Sequence, residues 1–331
     1  MVMLELQKWQ QFSPQDAKTQ ELKLKETLAR AYRSPLYKKA FNAARFRIDE
    51  FKGVRDLNKL PFLSRKTLFE ATRTKPNSTC VAPVSQWFLG SDKFDTHEWY
   101  PYSGEDFMAI APMLSRLSHT VGLHAGDIVL TVIDTPPRIA SFIPYLWSYA
   151  EASRKCGLEF INGSMEWYDT LGMSWINFIQ KRRPTAIFSS KRNAIALADK
   201  LQTMGTSVEQ ALPQLRVGVF FDEFKTKLEP YPSLEKYEVF SPIEHMALWS
   251  ECRCHSGVHV WLDTCIPEVL SEGKGEAEPL CKTASGARGE LVITNFAGAL
   301  PLIRYKTGKQ IYVESVGQCS CGINHPKIRF L

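Results

Sequence analysis

The chain has 331 residues, of which 44% are hydrophobic and 23% charged, with a formal net charge of +6: enough material for one large globular domain or two smaller ones, and too little charge for a disordered tail. Much of the positive excess falls on Lys18, Lys23, Lys25, Arg30, Arg33, Lys38 and Lys39 without aromatic interleaving, which reads as a solvated helical face and excludes a nucleic-acid stripe. No apolar run approaches about 18 residues, and the N-terminus lacks a basic region leading into an apolar core and cleavage site, so a cytoplasmic protein with no membrane partner is expected.

In chain order, Ser13-Pro14-Gln15-Asp16 is a helix start, and Leu22, Leu24, Leu28, Ala31 and Tyr32 follow at helical spacing, predicting a helical segment to about Ala44. Ser64, in LPFLSRKTL (60–68), is a second cap. Short β-rich runs then alternate with helix-length segments: DIVLTVI (127–133), CGLEFIN (156–162), TAIFSS (185–190), RVGVFF (216–221) and YEVFS (237–241). This alternation predicts βαβ units and a doubly wound parallel sheet of an α/β protein. After Trp249 the strands VHVWLD, GELVITN, PLIRYKTG and QIYVES leave no room for helices, predicting a C-terminal antiparallel β-rich subdomain. The Gly- and charge-rich stretch 271–289 reads as an exposed excursion. The expected divisions are 1–84 (helical segment and start of the large domain), 85–249 (α/β core) and 250–331 (β-rich subdomain).

Six strings in matching order resemble the phenylacetate coenzyme A ligase family of the adenylate-forming superfamily: SPLYKKAF from Ser34, LNKLPFLSRKTL from Leu57, LRVGVF from Leu215, SECRCHSGVHVWLDTCIPEV from Ser250, GELVITNFAGALPLIRYKTG from Gly289 and CSCGINHPKI from Cys319. The resemblance covers about 300 residues and implies the family's large domain. It also implies a chemistry in which a carboxylic acid attacks the α-phosphate of Mg-ATP and coenzyme A then displaces AMP. Such chemistry needs amides cradling phosphate, a carboxylate for magnesium, an acceptor for the ribose hydroxyls and a cation for the transition state.

Each requirement meets a departure in this sequence. Where the family has a glycine- and threonine-rich phosphate loop, this chain has LGSDKFDTHEWYP (89–101). Only Gly90 and Ser91 match, and Asp92 and Asp95 add charge of the wrong sign for a triphosphate. The family's YG-x-TE becomes FSPIE (240–244), keeping Glu244 for magnesium and Phe240 for adenine stacking. The family's RYRTGD becomes RYKTGK, keeping Arg304, Tyr305 and Thr307 but placing Lys309 where the ribose-binding Asp stands. A carboxylate accepts from both ribose hydroxyls, whereas an ammonium only donates. Asp134, Arg138, Phe220 and Phe221 fall at the family's acid pocket, and the two Phe would fill nucleotide space. The family's small C-terminal lid, which carries the lysine that promotes adenylation, is expected to be absent.

With eight cysteines in a reducing compartment, metal binding is weighed before disulfides. Cys252, His259, Cys319 and Cys321 match Cys and His positions recurrent in the family, and three thiolates with an imidazole suit structural zinc. Cys254, His255 and His325 are alternative ligands, and the other reading is four partly buried side chains with no metal. Cys80, Cys156, Cys265 and Cys281 read as buried small hydrophobes.

The function expected is a degenerate ligase-like protein that binds an aryl or acyl carboxylate or thioester with adenylation impaired, in an accessory or partner-dependent role. The alternatives are an active AMP-forming ligase using Mg-ATP and coenzyme A with its lid supplied in trans by a protein partner, and a non-enzymatic scaffold. A homodimer stays open.

Overall fold

The computed structural model describes residues 8–90, 98–133, 146–221, 229–241, 246, 248–273 and 275–331. The chain forms two units: one from residues 1–109, 242–247 and 256–331, the other from 110–241 and 248–255. This differs from the linear division at residues 84 and 249. The N-terminal helices belong with the C-terminal strands because buried hydrogen bonds, described below, tie them together.

Helix α1 (Pro14–Ala31) opens with a capping box: the Ser13 hydroxyl accepts from the Asp16 amide, and the Asp16 carboxylate accepts from the Ser13 amide at 2.8 Å. The helix expected to continue to residue 44 stops at Ala31. Pro35 forces Ser34 into an extended conformation and restarts the chain as α2 (Pro35–Ala43), with proline in its favoured first-turn position. Helix α3 (Arg65–Thr74) is capped by the Ser64 hydroxyl on the Thr67 amide, and a short α4 (Pro76–Thr79) follows. Strands β1 (Gln86–Gly90) and β2 (Glu98–Tyr102) pair antiparallel, and α5 (Gly104–Ile110) leaves them.

The second unit alternates helix and strand as the sequence predicts. It runs α6 (Met113–Thr120), β3 (Ile128–Val132), α7 (Leu146–Cys156), β4 (Glu159–Gly163), α8 (Met165–Leu171) and α9 (Met173–Arg182). It continues through β5 (Ala186–Ser190), α10 (Lys191–Thr203), α11 (Val208–Ala211), β6 (Val217–Phe221), β7 (Glu235–Phe240) and β8 (Trp249–Glu251). The strand order is β4-β3-β5-β6-β7-β8, parallel except for β8. Both faces are covered, as parallel sheets require. Leu130, Val132 and Ile187 pack with Trp175 and Ile176 of α9 and Leu197 of α10 on one face. On the other, Phe160 meets Tyr149 of α7 at 4.7 Å between ring centroids.

The first unit resumes with β9 (Val258–His259), β10 (Cys265–Leu270), β11 (Glu278–Pro279), β12 (Arg288–Asn295), β13 (Tyr305–Ser315) and β14 (Lys327–Phe330). Their order is β11-β10-β12-β13-β14-β9, antiparallel throughout. The excursion expected over 271–289 is anchored rather than free. It carries β11 and a 3-10 turn, Leu280–Lys282, whose Leu280 is fully buried.

The N-terminal part docks on these strands by specific bonds. The Tyr37 hydroxyl donates to the Pro301 carbonyl at 2.6 Å and accepts from the Ile303 amide. Leu63 bridges β13, its amide donating to the Arg304 carbonyl and its carbonyl accepting from the Lys306 amide. The buried Asp106 carboxylate accepts from the Ser103, Gly298 and Ala299 amides and from the Ser103 hydroxyl. Among the described residues no helix is long and apolar enough to cross a membrane.

Candidate functional site

Three of the Cys and His side chains singled out in the sequence converge. Within the first unit the ligand atoms of His259, Cys319 and Cys321 lie within 4.8 Å of one another, and His259 and Cys319 are buried; Cys252, also buried, belongs to the second unit. Local geometry places each. Cys252 follows β8, and the turn after it is closed by the His255 amide on the Cys252 carbonyl. His259 ends β9, which is reached through Gly257 at φ +111°, where a Cβ would stand 2.4 Å from the Ile328 carbonyl oxygen, so only glycine fits. Cys319 and Cys321 sit on a turn whose Gly322 amide donates to the Cys319 carbonyl and whose Cys319 amide donates to the Ile323 carbonyl.

Bond lengths of about 2.3 Å to sulfur and about 2.0 Å to nitrogen give a tetrahedral sulfur–nitrogen edge of about 3.5 Å. Cys321 Sγ is 3.5 Å from His259 Nε2. His259 Nδ1 lies 3.0 Å from the His325 carbonyl oxygen and donates to it, which leaves the Nε2 lone pair facing the thiols. Burial pushes the His259 imidazole down to about 4, with Lys327 adding to that and the bond to His325 opposing it. Thiols and a neutral imidazole gathered this closely are donors for a soft or borderline ion.

The alternative ligands lie elsewhere. His325 is fully engaged, accepting from the Leu262 amide through Nδ1 and donating to the Trp9 carbonyl through Nε2 at 2.7 Å. His255 rests on Tyr237 and faces Glu235 and Glu251, and Cys254 is outside the cluster. Residues 9–12 clasp the turn: Gln11 donates to the Gly322 carbonyl, the Phe12 amide donates to Asn324 Oδ1, and the Asn324 amide donates to the Gln10 carbonyl. Of the remaining cysteines, Cys265 is buried and its thiol is pushed up to about 12, Cys80 and Cys156 are half-buried, and Cys281 is exposed, against the expectation that it is buried.

The nucleotide positions fall on β13 and at the ends of β6 and β7. Arg304, named for nucleotide binding, is buried and left-handed at φ +49°. Its Nε and Nη2 donate to the two oxygens of Glu268 at 3.1 and 3.0 Å, Nη1 donates to the Leu60 carbonyl, and its plane stacks on Phe62 at 4.1 Å. Burial raises the Glu268 pKa, and Arg304 opposes the shift. Tyr305 is buried, and the Thr307 hydroxyl donates to the Leu291 carbonyl and accepts from the Lys309 amide. Lys309 itself is exposed, beside a Gly308 whose amide donates to Glu290.

Phe220 and Phe221 point to opposite faces of the parallel sheet, and both are buried. Phe220 folds over Gly218 and packs near Tyr231, and Phe221 packs on Phe188. Phe240, also buried, lies against Trp249 at 5.4 Å. Gly90 ends β1. Ser91, Asp134, Arg138 and Glu244 lie outside the described residues.

Sequence reasoning missed Glu268 and Asp106, the acids that organise this unit. The signal for Glu268 is a lone carboxylate in the otherwise apolar run CIPEVL, which demands a buried cation.

No family model matches the chain. It is 25% identical over 299 residues to a phenylacetate-coenzyme A ligase of Aromatoleum evansii, covering 86% of this chain and 63% of that protein. It is 23% identical over 328 residues to one from Thermus thermophilus, covering 93% and 68%. The chain thus spans about two thirds of the length of the curated relatives it matches. Among solved structures, 2-hydroxyisobutyryl-CoA ligase in complex with 2-HIB-AMP and CoA superposes with a TM-score of 0.78 at 18% identity, over 95% of this chain and 67% of that one, a likeness of fold.

Proposed function

We propose that this chain, which has the fold of the adenylate-forming ligases and phenylacetate-coenzyme A ligases among its relatives in sequence, binds an aryl or acyl carboxylate or its thioester while being impaired in adenylation. Its role is then accessory or dependent on a partner. The observation that carries this reading is Lys309, an exposed ammonium where the family places a carboxylate for the ribose hydroxyls, on a strand whose geometry is otherwise held by Arg304–Glu268 and Thr307–Leu291 bonds. A donor in place of an acceptor turns attraction for the ribose into a mismatch of both charge and hydrogen-bonding sense. The two acidic residues in 91–97 act in the same direction on a triphosphate.

The same reading gives the cluster of Cys252, His259, Cys319 and Cys321 one zinc ion. Four protein donors leave no open position for water or substrate, so its part is to hold the β-rich strands and the residues 319–325 together.

A second reading, an AMP-forming ligase completed by a lid in trans and using Mg-ATP and coenzyme A, draws on the likeness of RYKTG to the family string, although Arg304 is taken up by Glu268, and on the adenylate and CoA bound by the structural neighbour. Equilibrium dialysis of radiolabelled phenylacetate separates the two. Saturable binding without nucleotide, unchanged by Mg-ATP, is expected; binding that requires Mg-ATP favours the second reading, and no binding in either condition removes the acid-binding proposal.

A further inference from the structure

The register of the β1–β2 hairpin sets Trp87 opposite Pro101 and Trp99 opposite Leu89, which puts the two indoles on one face. Phe88, Tyr100 and Tyr102 take the other face, where all three are buried and Phe88 meets Tyr102 edge-on at 5.0 Å. The inward face carries the aromatic packing. On the indole face Pro101 is buried, yet Trp99 stays 45% exposed and Trp87 half-buried.

Facing the indoles across an open pocket of about 760 Å³ are Phe69 and Arg73 of α3 and Pro76 and Asn77 of α4. The guanidinium of Arg73 is exposed, and among the described residues no hydrogen bond or ion pair engages it. No acidic residue is among the described residues lining the pocket.

These features define a ligand chemistry. Indole and phenyl faces favour a flat π-system, which they stack against in offset or edge-on geometry. An unpaired guanidinium is a planar fork that matches a carboxylate bidentately. The volume lies within the range of small-molecule sites, about 300–1,000 Å³, and suits a bicyclic or substituted ring rather than a small aliphatic anion. The geometry points to a binding site for a planar aromatic carboxylate on the outer face of the β1–β2 hairpin, the ring against Trp87 and Trp99 and the carboxylate on Arg73. Trp99 lies in 89–101, the segment that stands in place of the family's phosphate loop, but the proposed function rests on none of Trp87, Trp99 and Arg73.

Titration calorimetry with 2-naphthoate, and with the uncharged 2-naphthamide, tests it on the wild-type chain, Arg73→Gln and Trp99→Leu. Both positions are exposed at the pocket rim, and circular dichroism checks that the variants keep the wild-type fold. The expected result is that Arg73→Gln weakens 2-naphthoate at least about tenfold while leaving 2-naphthamide unchanged. Trp99→Leu weakens both ligands, and Trp99→Phe restores most of the affinity. Absence of 2-naphthoate binding to the wild type, or binding that neither Arg73→Gln nor Trp99→Leu alters, overturns the proposal, the latter by locating the ligand elsewhere.

Discussion

Arg304 and Glu268 are 2% and 1% exposed at their side chains, so each charge is tolerated only because the other is present. Removing one partner leaves the other buried and unpaired, at a cost of about 3–5 kcal/mol. Arg304→Met is therefore expected to lower the urea midpoint strongly, and Arg304→Met combined with Glu268→Leu should recover much of the loss; additive losses in the double variant would contradict the pairing. In sequence, Arg304 reads as a nucleotide residue because it lies in RYKTGK. What sequence hides is that its guanidinium meets an acid 36 residues away and the Leu60 carbonyl, partners that only the fold brings within reach.

At the scale of elements, two small constructions hold the frame. Asp127, at the entry to β3, accepts from the His124 amide, the Thr185 hydroxyl before β5 and the Arg216 guanidinium before β6, tying the starts of three strands. Burial alone would raise its pKa, but these donors outweigh that and hold it below the ordinary carboxylate value of 3.8. A depressed carboxylate contributes stability above its unfolded pKa and loses it as pH falls through the folded one. Unfolding free energy is expected to drop below about pH 4 in the wild type and to show a shallower slope there in Asp127→Asn. An identical slope in both would sink the assignment.

The second construction is the cysteine turn with its clasp of residues 9–12. Freshly purified protein should carry about one zinc per chain and Cys319→Ser almost none. In that variant the amides of Asn324 and Cys319, which donate to the Gln10 and Ile323 carbonyls, should lose hydrogen-exchange protection. Metal-free wild-type protein, or unchanged protection in the variant, would remove the ion from the account.

For the whole molecule, the alternation of strand and helix in 127–241 was legible, though not the order of the strands in the sheet, because parallel strands buried on both faces read as apolar runs separated by helix-length segments. The break between α1 and α2 was legible in principle from Pro35. The assembly of residues 1–109 with 256–331 was not, since it rests on single polar atoms such as the Tyr37 hydroxyl and the Asp106 carboxylate. The four Cys and His positions were found through family resemblance rather than spacing, with 60 residues separating His259 from Cys319.

Several strings that carry the resemblance turn out to be framework: SPLYKKAF supplies Tyr37, LNKLPFLSRKTL supplies Leu60 and Leu63, and both meet the segment from Pro301 to Lys306. Part of the likeness to the ligases thus lies where the chain packs, while the departures on which the proposed function rests, at Lys309 and in 91–97, are read from the sequence. The most direct measurement is calorimetric titration of the purified chain with Mg-ATP. The account predicts no saturable heat up to about millimolar nucleotide, and a micromolar dissociation constant, about 4 kcal/mol tighter, would contradict it.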